Sequence, residues 1–259
     1  MPQNEVQPLH SIFGAASMND HTHSHLWVDG AAQFIPRLND LLAHQDHLFQ
    51  ILHMDTFHNP QQDVLGKILE HHHSDKSTTH NYNILYSYIL GPKRDQELNV
   101  LEVGLGTNNP DLVSSMGSEG TPGASLYSFR DYLPSSKVYG ADIDRNILFQ
   151  SERISTAYVD QMNPASFTEM FDSFGNPEFD LIIDDGLHSI GANLNTLVFT
   201  LNHLKKDGWL VVEDIHRPDN WRAIDFIVRQ DPRYESFMVK AGNGYYYQNQ
   251  SYMYVVHRI

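Results

Sequence analysis

Two acidic motifs in the second half of the chain contain residue types that could bind a metal ion and move a proton. The run DDGLH at 184–188 follows one apolar stretch, and Glu213 and Asp214 follow the next. Both stretches have the composition of strands buried in a parallel sheet. Adjacent parallel strands lie about 5 Å apart, so we expect Asp185, Glu213 and Asp214 to converge at their carboxyl ends.

Converging carboxylates repel one another unless a cation neutralises them, and a set of oxygen ligands suits a hard divalent ion such as Mg²⁺. His188 follows Asp185 by three residues, and its ordinary pKa near neutrality would let it accept a proton beside that ion. A structural alternative is that Asp184 or Asp185 caps the next helix. Capping explains one aspartate but not the second acidic pair, so the motifs favour a metal site with His188 as catalytic base.

A glycine turn follows an earlier apolar strand, in the run LNVLEVGLG at 98–106. Gly104 and Gly106 allow a tight turn and a close approach of the backbone to a ligand, at the strand end where open α/β sheets bind nucleotides. The dinucleotide fingerprint does not fit. Asn109 occupies the place of its third glycine, and Asp142, the next acidic strand end, comes much later than the expected spacing of about 20 residues.

The elements around these motifs predict an α/β fold. Apolar runs indicate seven strands, near 98–103, 137–141, 155–159, 179–183, 209–212, 236–240 and 252–256. Helical patterns alternate with the first five strands, which favours right-handed crossovers and a parallel sheet, whereas the short last connection favours an antiparallel pair. Among the predicted helices are 74–90, 144–153 and 190–206, and one that runs from Pro36 to the break at Asn59-Pro60. The expected architecture is a Rossmann-like, mostly parallel sheet with helices on both faces.

The composition limits the possible partners. The 259 residues carry a formal charge of −15, from 17 basic and 32 acidic residues, which argues against nucleic acid or an anionic membrane as the main partner. Cysteine is absent, which excludes disulfides and thiolate metal sites. The N-terminal residues lack a signal-peptide pattern, and we expect a cytoplasmic protein. Sixteen histidines are present, and we interpret those at 21, 23, 25 and 71–73 as solvated.

The glycine turn and the two acidic strand ends that follow it resemble the class I S-adenosylmethionine-dependent methyltransferases. In that family the glycine loop approaches the methionine part of the cofactor, the acidic residue after the second strand binds the ribose hydroxyls, and residues after the third strand contact adenine. The resemblance implies six cofactor-binding residues in this chain. They are Glu102, Gly104, Gly106, Asp142, Asp160 and Gln161.

A narrower resemblance rests on four runs: SDKSTTHNY, GASLYSFRDYLPSSKVYGADID, IIDDGLHS and WLVVEDI. Together they are similar to the metal-dependent sugar O-methyltransferases of macrolide biosynthesis, the mycinamicin 2''-O-methyltransferase type, and to the proteins named cephalosporin hydroxylase. The resemblance covers roughly residues 70–256. It implies that Asp185, Glu213 and Asp214 bind Mg²⁺ or another hard divalent cation, that His188 is the general base, and that Ser125 holds the cofactor's carboxylate.

The resemblance implies a function and a division of the chain. The expected reaction transfers a methyl group from S-adenosylmethionine to a hydroxyl of a sugar or glycosylated small molecule, in a homo-oligomer without nucleic-acid or membrane partners. Residues 74–259 would form the methyltransferase domain, and residues 1–73 a helical N-terminal appendage for substrate and oligomer contacts. Two alternatives remain open: a cephalosporin-hydroxylase-like enzyme on the same fold, and a non-catalytic S-adenosylmethionine-binding protein.

Overall fold

One mixed β-sheet runs through the residues that the computed structural model describes, 35–42, 49–242 and 251–259. Within those residues it has nine strands: β1 (Ile51–His53), β2 (Asn99–Val103), β3 (Lys137–Asp142), β4 (Gln150–Ser151), β5 (Ile154–Tyr158), β6 (Phe179–Asp184), β7 (Leu204–Ile215), β8 (Tyr234–Ala241) and β9 (Ser251–Arg258). Their order across the sheet is β1-β8-β9-β7-β6-β2-β3-β5-β4. The pairs among β2, β3, β5, β6 and β7 are parallel.

Helices cover both faces of this sheet. They are α1 (Ile35–Leu42), α2 (Gln62–His71), α3 (Asn83–Leu90), α4 (Ala124–Tyr132), α5 (Pro164–Phe174), α6 (Ile190–Thr200) and α7 (Arg222–Val228). The side chains of α2, α3 and α4 form one apolar core with one face of the sheet. Those of α5, α6 and α7 form a second core on the other face. Because side chains of a strand alternate between faces, both cores draw on the same central strands.

The strand order reverses beside β2. The chain passes from β2 to β3 and β5 on one side and then returns to place β6 on the other side. Open α/β sheets bind their ligands at such a reversal, outside the carboxyl ends of the strands. The predicted mixed α/β class is confirmed, as is the antiparallel pairing of the last two strands, β8 and β9.

The sheet has two strands that the sequence patterns did not predict. Ile51 and Leu52 were expected in a helix, but they lie in β1, which pairs in parallel with Met238 and Val239 of β8. The other is β4, which pairs with the start of β5. Short apolar runs have no decisive periodicity, so pairing with a long neighbouring strand determined their conformation.

Two further predicted helices, 144–153 and 190–206, are wrong in extent. The expected helix over 144–153 is a single 3-10 turn, Arg145–Ile147, followed by β4. Asp144 accepts a hydrogen bond from Asn146 N, and Thr156 Oγ1 accepts one from Phe149 N, so local side-chain bonds replace helical ones. The helix expected over 190–206 ends at Thr200, and β7 already begins at Leu204. Pairing of Leu204 with Phe179 extends the strand.

The region predicted as an N-terminal appendage is partly described. Helix α1 contacts α7, and α2 packs on α3 and α4. The division of the chain at residue 73 into an appendage for substrate and oligomer contacts and a methyltransferase domain stays a prediction. The histidines at 21, 23 and 25 lie outside the described residues, whereas His71 is exposed at the end of α2. No helix among the described residues is both long and apolar enough to cross a membrane.

Replacement of Gly104 by alanine should test how closely β2 and β6 approach at the reversal. Gly104 has φ +93°, and a Cβ there would lie 2.1 Å from the carbonyl oxygen of Asp185. Gly175 is a matched control, since it has φ +79° but no atom within 4 Å of its Cβ position. We expect Gly175→Ala to cost about 1–2 kcal/mol of unfolding free energy from backbone strain alone, and Gly104→Ala about 1–3 kcal/mol more from overpacking.

Urea denaturation followed by circular dichroism measures both losses. Equal losses in the two variants would show that the strand ends can separate without cost.

Candidate active site

The glycine turn and the acidic loop after β6 touch each other at the strand reversal. Asp185 N donates a hydrogen bond to Val103 O, and Gly104 N donates one to Ala141 O, each at 2.8 Å. The backbone of Asp185 occupies the space in which any Cβ at position 104 would lie. The turn after β2 and the side chain of Asp185 are therefore held next to each other by the backbone itself.

Glu213 and Asp214 both reach this site because β7 is bulged. The strand pairs with β9 at Val212 and again at Ile215. Between these two positions β7 has two residues and β9 has one, so β7 carries one extra residue. Asp214 lies in that extra stretch with φ +53°. Successive side chains of a regular strand point to opposite faces, and a bulge with a left-handed residue changes the direction of one of them. The bulge thus directs two adjacent carboxylates towards one site.

Three partly buried side chains, two aspartates and a histidine, form a candidate cation site. One ligand atom each from Asp185, His188 and Asp214 lies within 4.8 Å of the other two. His188 Nε2 is 3.8 Å from Asp185 Oδ1 and 3.9 Å from Asp214 Oδ2. Its other ring nitrogen, Nδ1, is buried and has no hydrogen-bond partner among the described residues. The histidine therefore faces the carboxylates without being bonded to either.

Glu213 lies deeper, on a buried lysine. Lys76 Nζ is 2.7 Å from Glu213 Oε2, 2.5 Å from Asp185 Oδ2 and 3.2 Å from Glu102 Oε1. Tyr86 donates a short hydrogen bond to Glu213 Oε1. One ammonium thus joins carboxylates at the ends of β2, β6 and β7.

The charges in this cluster shift one another's pKa values. Burial raises the pKa of Glu213 well above its usual value, and Asp185 raises it further, against the effect of Lys76. Burial alone lowers the pKa of Lys76, but the three carboxylates outweigh it and raise that pKa well above its usual value. The carboxylates therefore favour the charged form of the lysine, whereas burial favours the neutral form of Glu213.

Asp214 has a different environment. Tyr82 donates a hydrogen bond to its Oδ1 at 2.5 Å, and Ser251 donates another at 3.0 Å. Burial raises the pKa of Asp214, but His188, His80 and the bond from Tyr82 lower it to about 2. His80 Nδ1 lies 3.9 Å from Asp214 Oδ1, and its ring stacks on Tyr82. Asp214 is thus a stable anion between two imidazoles.

The segment that supplies these partners was missed as a source of site residues. The helix expected from Ser74 begins only at Asn83. In the turns before it, Asp75 O accepts hydrogen bonds from the backbone of residues 78–80, and Lys76 O accepts one from Tyr82 N. These turns direct Lys76, His80 and Tyr82 into the site. In the sequence these three residues lie in the run SDKSTTHNY, whose residue types and spacing indicate no particular chemistry.

The glycine loop is held by two aspartates, one at the end of β3 and one just after it. Asp142 Oδ2 accepts a hydrogen bond from Leu105 N at 2.7 Å, and Asp144 Oδ2 accepts one from Thr107 Oγ1 at 2.5 Å. Burial raises the pKa of Asp142. Residues 105 and 107 flank Gly106, so the bonds hold both sides of the turn. Thr107 and Asp144 were not among the predicted site residues.

Gly106 itself has φ +73°, and a Cβ there would lie 2.3 Å from atoms of the Met116 side chain. Met116 is 43% exposed, and a methionine side chain is flexible. The space above the glycine turn is therefore bounded on one side by a side chain that can move.

Glu102 and Ser125 form a buried pair next to this turn. Ser125 donates a short hydrogen bond to Glu102 Oε2, while Glu102 Oε1 faces Lys76. Ser125 is the second residue of α4, whose N-cap residue, Gly123, provides no side-chain cap. The structure thus places Ser125 at an uncapped helix N-terminus, as the resemblance implied.

Asp160 and Gln161, predicted to contact adenine, bond to the protein. Gln161 Nε2 donates to Asp184 Oδ1 at 2.7 Å and to Thr196 Oγ1 at 2.9 Å, and its Oε1 accepts from Leu187 N. Asp160 Oδ1 accepts a hydrogen bond from Met162 N. Gln161 therefore braces the DDG turn, and its amide faces that turn.

The structure brings Glu102, Asp185, His188, Glu213 and Asp214 together, and it does not give Asp185 the alternative role of a helix cap. The cap of α6 is Ser189, whose side chain accepts a hydrogen bond from Ala192 N. Five of the predicted residues thus share one site, and their assigned roles remain predictions.

Removal of the Tyr86 hydroxyl should destabilise the protein, because the buried carboxylate of Glu213 then loses a hydrogen-bond donor. We expect Tyr86→Phe to lower the free energy of unfolding by about 1.5–3 kcal/mol, the range for hydrogen bonds to charged groups. Tyr132→Phe is the matched control, since Tyr132 is equally buried and its hydroxyl has no partner among the described residues. That variant should be neutral or slightly stabilising. A Tyr86→Phe protein as stable as Tyr132→Phe in urea denaturation would contradict this account.

Comparison with known proteins finds that the chain is similar in part to O-methyltransferases. It is 32% identical over 163 residues to 8-demethyl-8-alpha-L-rhamnosyl tetracenomycin-C 2'-O-methyltransferase of Streptomyces olivaceus, which covers 62% of this chain and 40% of the relative. It is 33% identical over 124 residues to mycinamicin VI 2''-O-methyltransferase of Micromonospora griseorubida, which covers 47% and 28%. The chain thus matches less than half the length of these relatives, and no family model matches it.

Solved structures show the same architecture. The MycE methyltransferase of the mycinamycin biosynthetic pathway, in complex with Mg, SAH and mycinamycin VI, superposes with a TM-score of 0.57 at 19% identity. The superposition covers 75% of this chain and 54% of MycE. A second crystal form, with Mg and SAH, gives a TM-score of 0.56 over 75% of this chain. The curated homologues of this chain are therefore sugar O-methyltransferases, and its fold is that of the class I methyltransferases.

Proposed function

We propose that this chain is a metal-dependent O-methyltransferase that transfers a methyl group from S-adenosylmethionine to a hydroxyl of a sugar or glycosylated small molecule. The observation that carries the proposal is the position of the trio Asp185, His188 and Asp214. It lies at the strand reversal, next to the glycine turn after β2. A cation-binding group, a base and a cofactor loop thus share one edge of the sheet.

The acidic residues fit a hard divalent cation. Asp185 Oδ2 faces Lys76, but its Oδ1 faces His188, so an oxygen remains for a ligand. Glu213 lies in the bulge of β7, and both of its oxygens already accept a hydrogen bond. A carboxylate offers about four lone-pair directions, so directions remain for a cation. Asp185, Glu213 and Asp214 would hold the cation. When bound, Mg²⁺ or a similar ion would acidify an acceptor hydroxyl.

The glycine turn fits a cofactor that has a carboxylate and a sulfonium. The N-terminus of α4 at Ser125 is suited to an anion, because its backbone N–H groups lack a side-chain cap. Gly104 and Gly106 would approach the methionine part, and Asp142 and Asp160-Gln161 would line the ribose and adenine ends. When bound, S-adenosylmethionine supplies a methyl group that needs alignment with the attacking oxygen more than activation.

His188 would act as the base. Its Nδ1 is buried and has no hydrogen-bond partner in the described part of the chain, so no described neighbour occupies that ring nitrogen. Asp214, whose pKa is held low, would remain an anion beside the imidazole and stabilise it after it accepts the acceptor's proton. The net charge of −15 supports a small-molecule acceptor over nucleic acid.

The glycoside acceptor rests on the relatives. The names of the relatives describe O-methyl transfer to a rhamnosyl tetracenomycin and to an L-olivosyl-oleandolide. A homo-oligomer is a further part of the proposal, and light scattering of the purified chain would measure its mass.

The first test of the function is binding and turnover. We expect calorimetry to detect S-adenosylhomocysteine binding, and mass spectrometry to detect a gain of one methylene unit on some members of a glycoside panel with S-adenosylmethionine and Mg²⁺. EDTA should abolish that gain, and added Mg²⁺ should restore it. Cofactor binding without any turnover would favour the non-catalytic alternative, and a different mass change would favour a cephalosporin-hydroxylase-like reaction.

The second test is His188→Ala. Loss of a general base should lower the rate of methyl transfer by about 10²–10⁴-fold, while the affinity for S-adenosylhomocysteine stays within about twofold of the unmodified chain's, well under a tenfold (1.4 kcal/mol) change. His71→Ala, at an exposed position on α2, is the matched histidine control and should leave both quantities unchanged. Full activity in His188→Ala would exclude it as the base.

A further inference from the structure

Lys76 is buried at the centre of the acidic site. Its side chain is only 2% exposed, although an isolated ammonium in a protein interior is strongly unfavourable. The three carboxylates around Nζ, from Glu102, Asp185 and Glu213, lie at 2.5–3.2 Å. The lysine is therefore fixed by its charge partners, and they in turn are fixed by it.

These partners belong to two functional parts of the site. Glu102 ends β2, and its second oxygen accepts the hydrogen bond from Ser125 at the start of α4. Asp185 follows β6, and Glu213 lies in the bulge near the end of β7, on the side of the candidate cation site. Within the described residues, Lys76 is the cation that contacts both parts.

We propose that Lys76 is a positioning residue that couples the cofactor end of the site to its metal end. The inference rests on the proposed function and deepens it. Lys76 contacts one oxygen of Asp185 and leaves Oδ1 turned towards His188. Its role is thus to orient the carboxylates, and the exchangeable cation is bound beside it.

Loss of the ammonium should disturb the cofactor end even when no metal is present. Glu102 is 1% exposed, and without Lys76 it would be a buried carboxylate with Ser125 as its remaining bonded partner. Such a group rearranges or takes up a proton. Either response changes the hydrogen bond from Ser125, which lies where the cofactor's carboxylate is expected.

The test is a double-mutant cycle measured by calorimetry with S-adenosylhomocysteine in EDTA. We expect Lys76→Met and Glu102→Gln each to weaken binding by about tenfold, the usual effect of losing a bond to a buried charge. The double variant should bind S-adenosylhomocysteine about as tightly as the single variant with the lower affinity, since both changes break the same contact. Additive losses, or unchanged binding in Lys76→Met, would overturn the proposal.

Two further variants control for folding. Lys205→Met removes a lysine that pairs with Asp180 at 2.7 Å far from the site, and it should bind S-adenosylhomocysteine normally. If Lys76→Met does not give a cooperative unfolding transition, Lys76→Gln, which keeps a hydrogen-bond donor, replaces it in the cycle with the same expectation of non-additivity.

The outcomes separate this proposal from the proposed function. Failure of the unmodified chain to bind S-adenosylhomocysteine would refute the proposed function and the role of Lys76 together. Normal binding by the unmodified chain and an unaffected Lys76 variant would refute only the role of the lysine.

Discussion

The site depends on one buried ion pair network, in which a single ammonium faces three carboxylates. Desolvation makes each of these charges unfavourable alone, and pairing is what allows them inside the protein. One ammonium thus faces three carboxyl groups, and burial raises the pKa values of Asp185 and Glu213 against the opposing effect of Lys76. An acidic cluster that opens towards an edge of the sheet attracts a cation. The fold thus brings together acidic groups whose charge a divalent ion would neutralise.

Backbone geometry brings the charges to that edge. The strand reversal beside β2 puts the ends of β2, β6 and β7 side by side, and the bulge in β7 adds the second carboxylate. His188 and Asp214 both have φ +53°, in the left-handed region that costs a residue with a side chain about 1–2 kcal/mol. Histidine and aspartate tolerate it better than most residues. Strain of this kind persists where the surrounding structure requires a particular direction of a side chain.

The sequence predicted the sheet and the acidic strand ends, because both are encoded locally. A buried parallel strand has a recognisable composition, and the residue after it must lie at the carboxyl edge. The composition could not show that Ile51 and Leu52 form a strand, since that depends on pairing with β8. It also could not show that Gln161 braces the DDG turn, because its partners are distant in sequence.

Lys76 was missed for a related reason. Its partners lie 109 and 137 residues away for Asp185 and Glu213, and a lysine in a polar run normally indicates a solvated loop. Only the three-dimensional arrangement distinguishes a buried cation from a surface one. The run SDKSTTHNY is part of the resemblance to known enzymes, but no local property of this run indicates that Lys76 is buried.

The distribution of burial within the site agrees with the roles proposed for its groups. The side chains of Lys76, Glu102 and Glu213 are 1–2% exposed, whereas those of Asp185, His188 and Asp214 are 21–24% exposed. A group that only orients others can be enclosed completely, and enclosure strengthens its electrostatic interactions. A group that exchanges a ligand or a proton has to reach the space where substrate binds. Asp185 connects the enclosed groups to the exposed ones, because one of its oxygens contacts Lys76 and the other faces His188. A rearrangement of the enclosed groups would therefore reach the exposed groups through this one carboxylate.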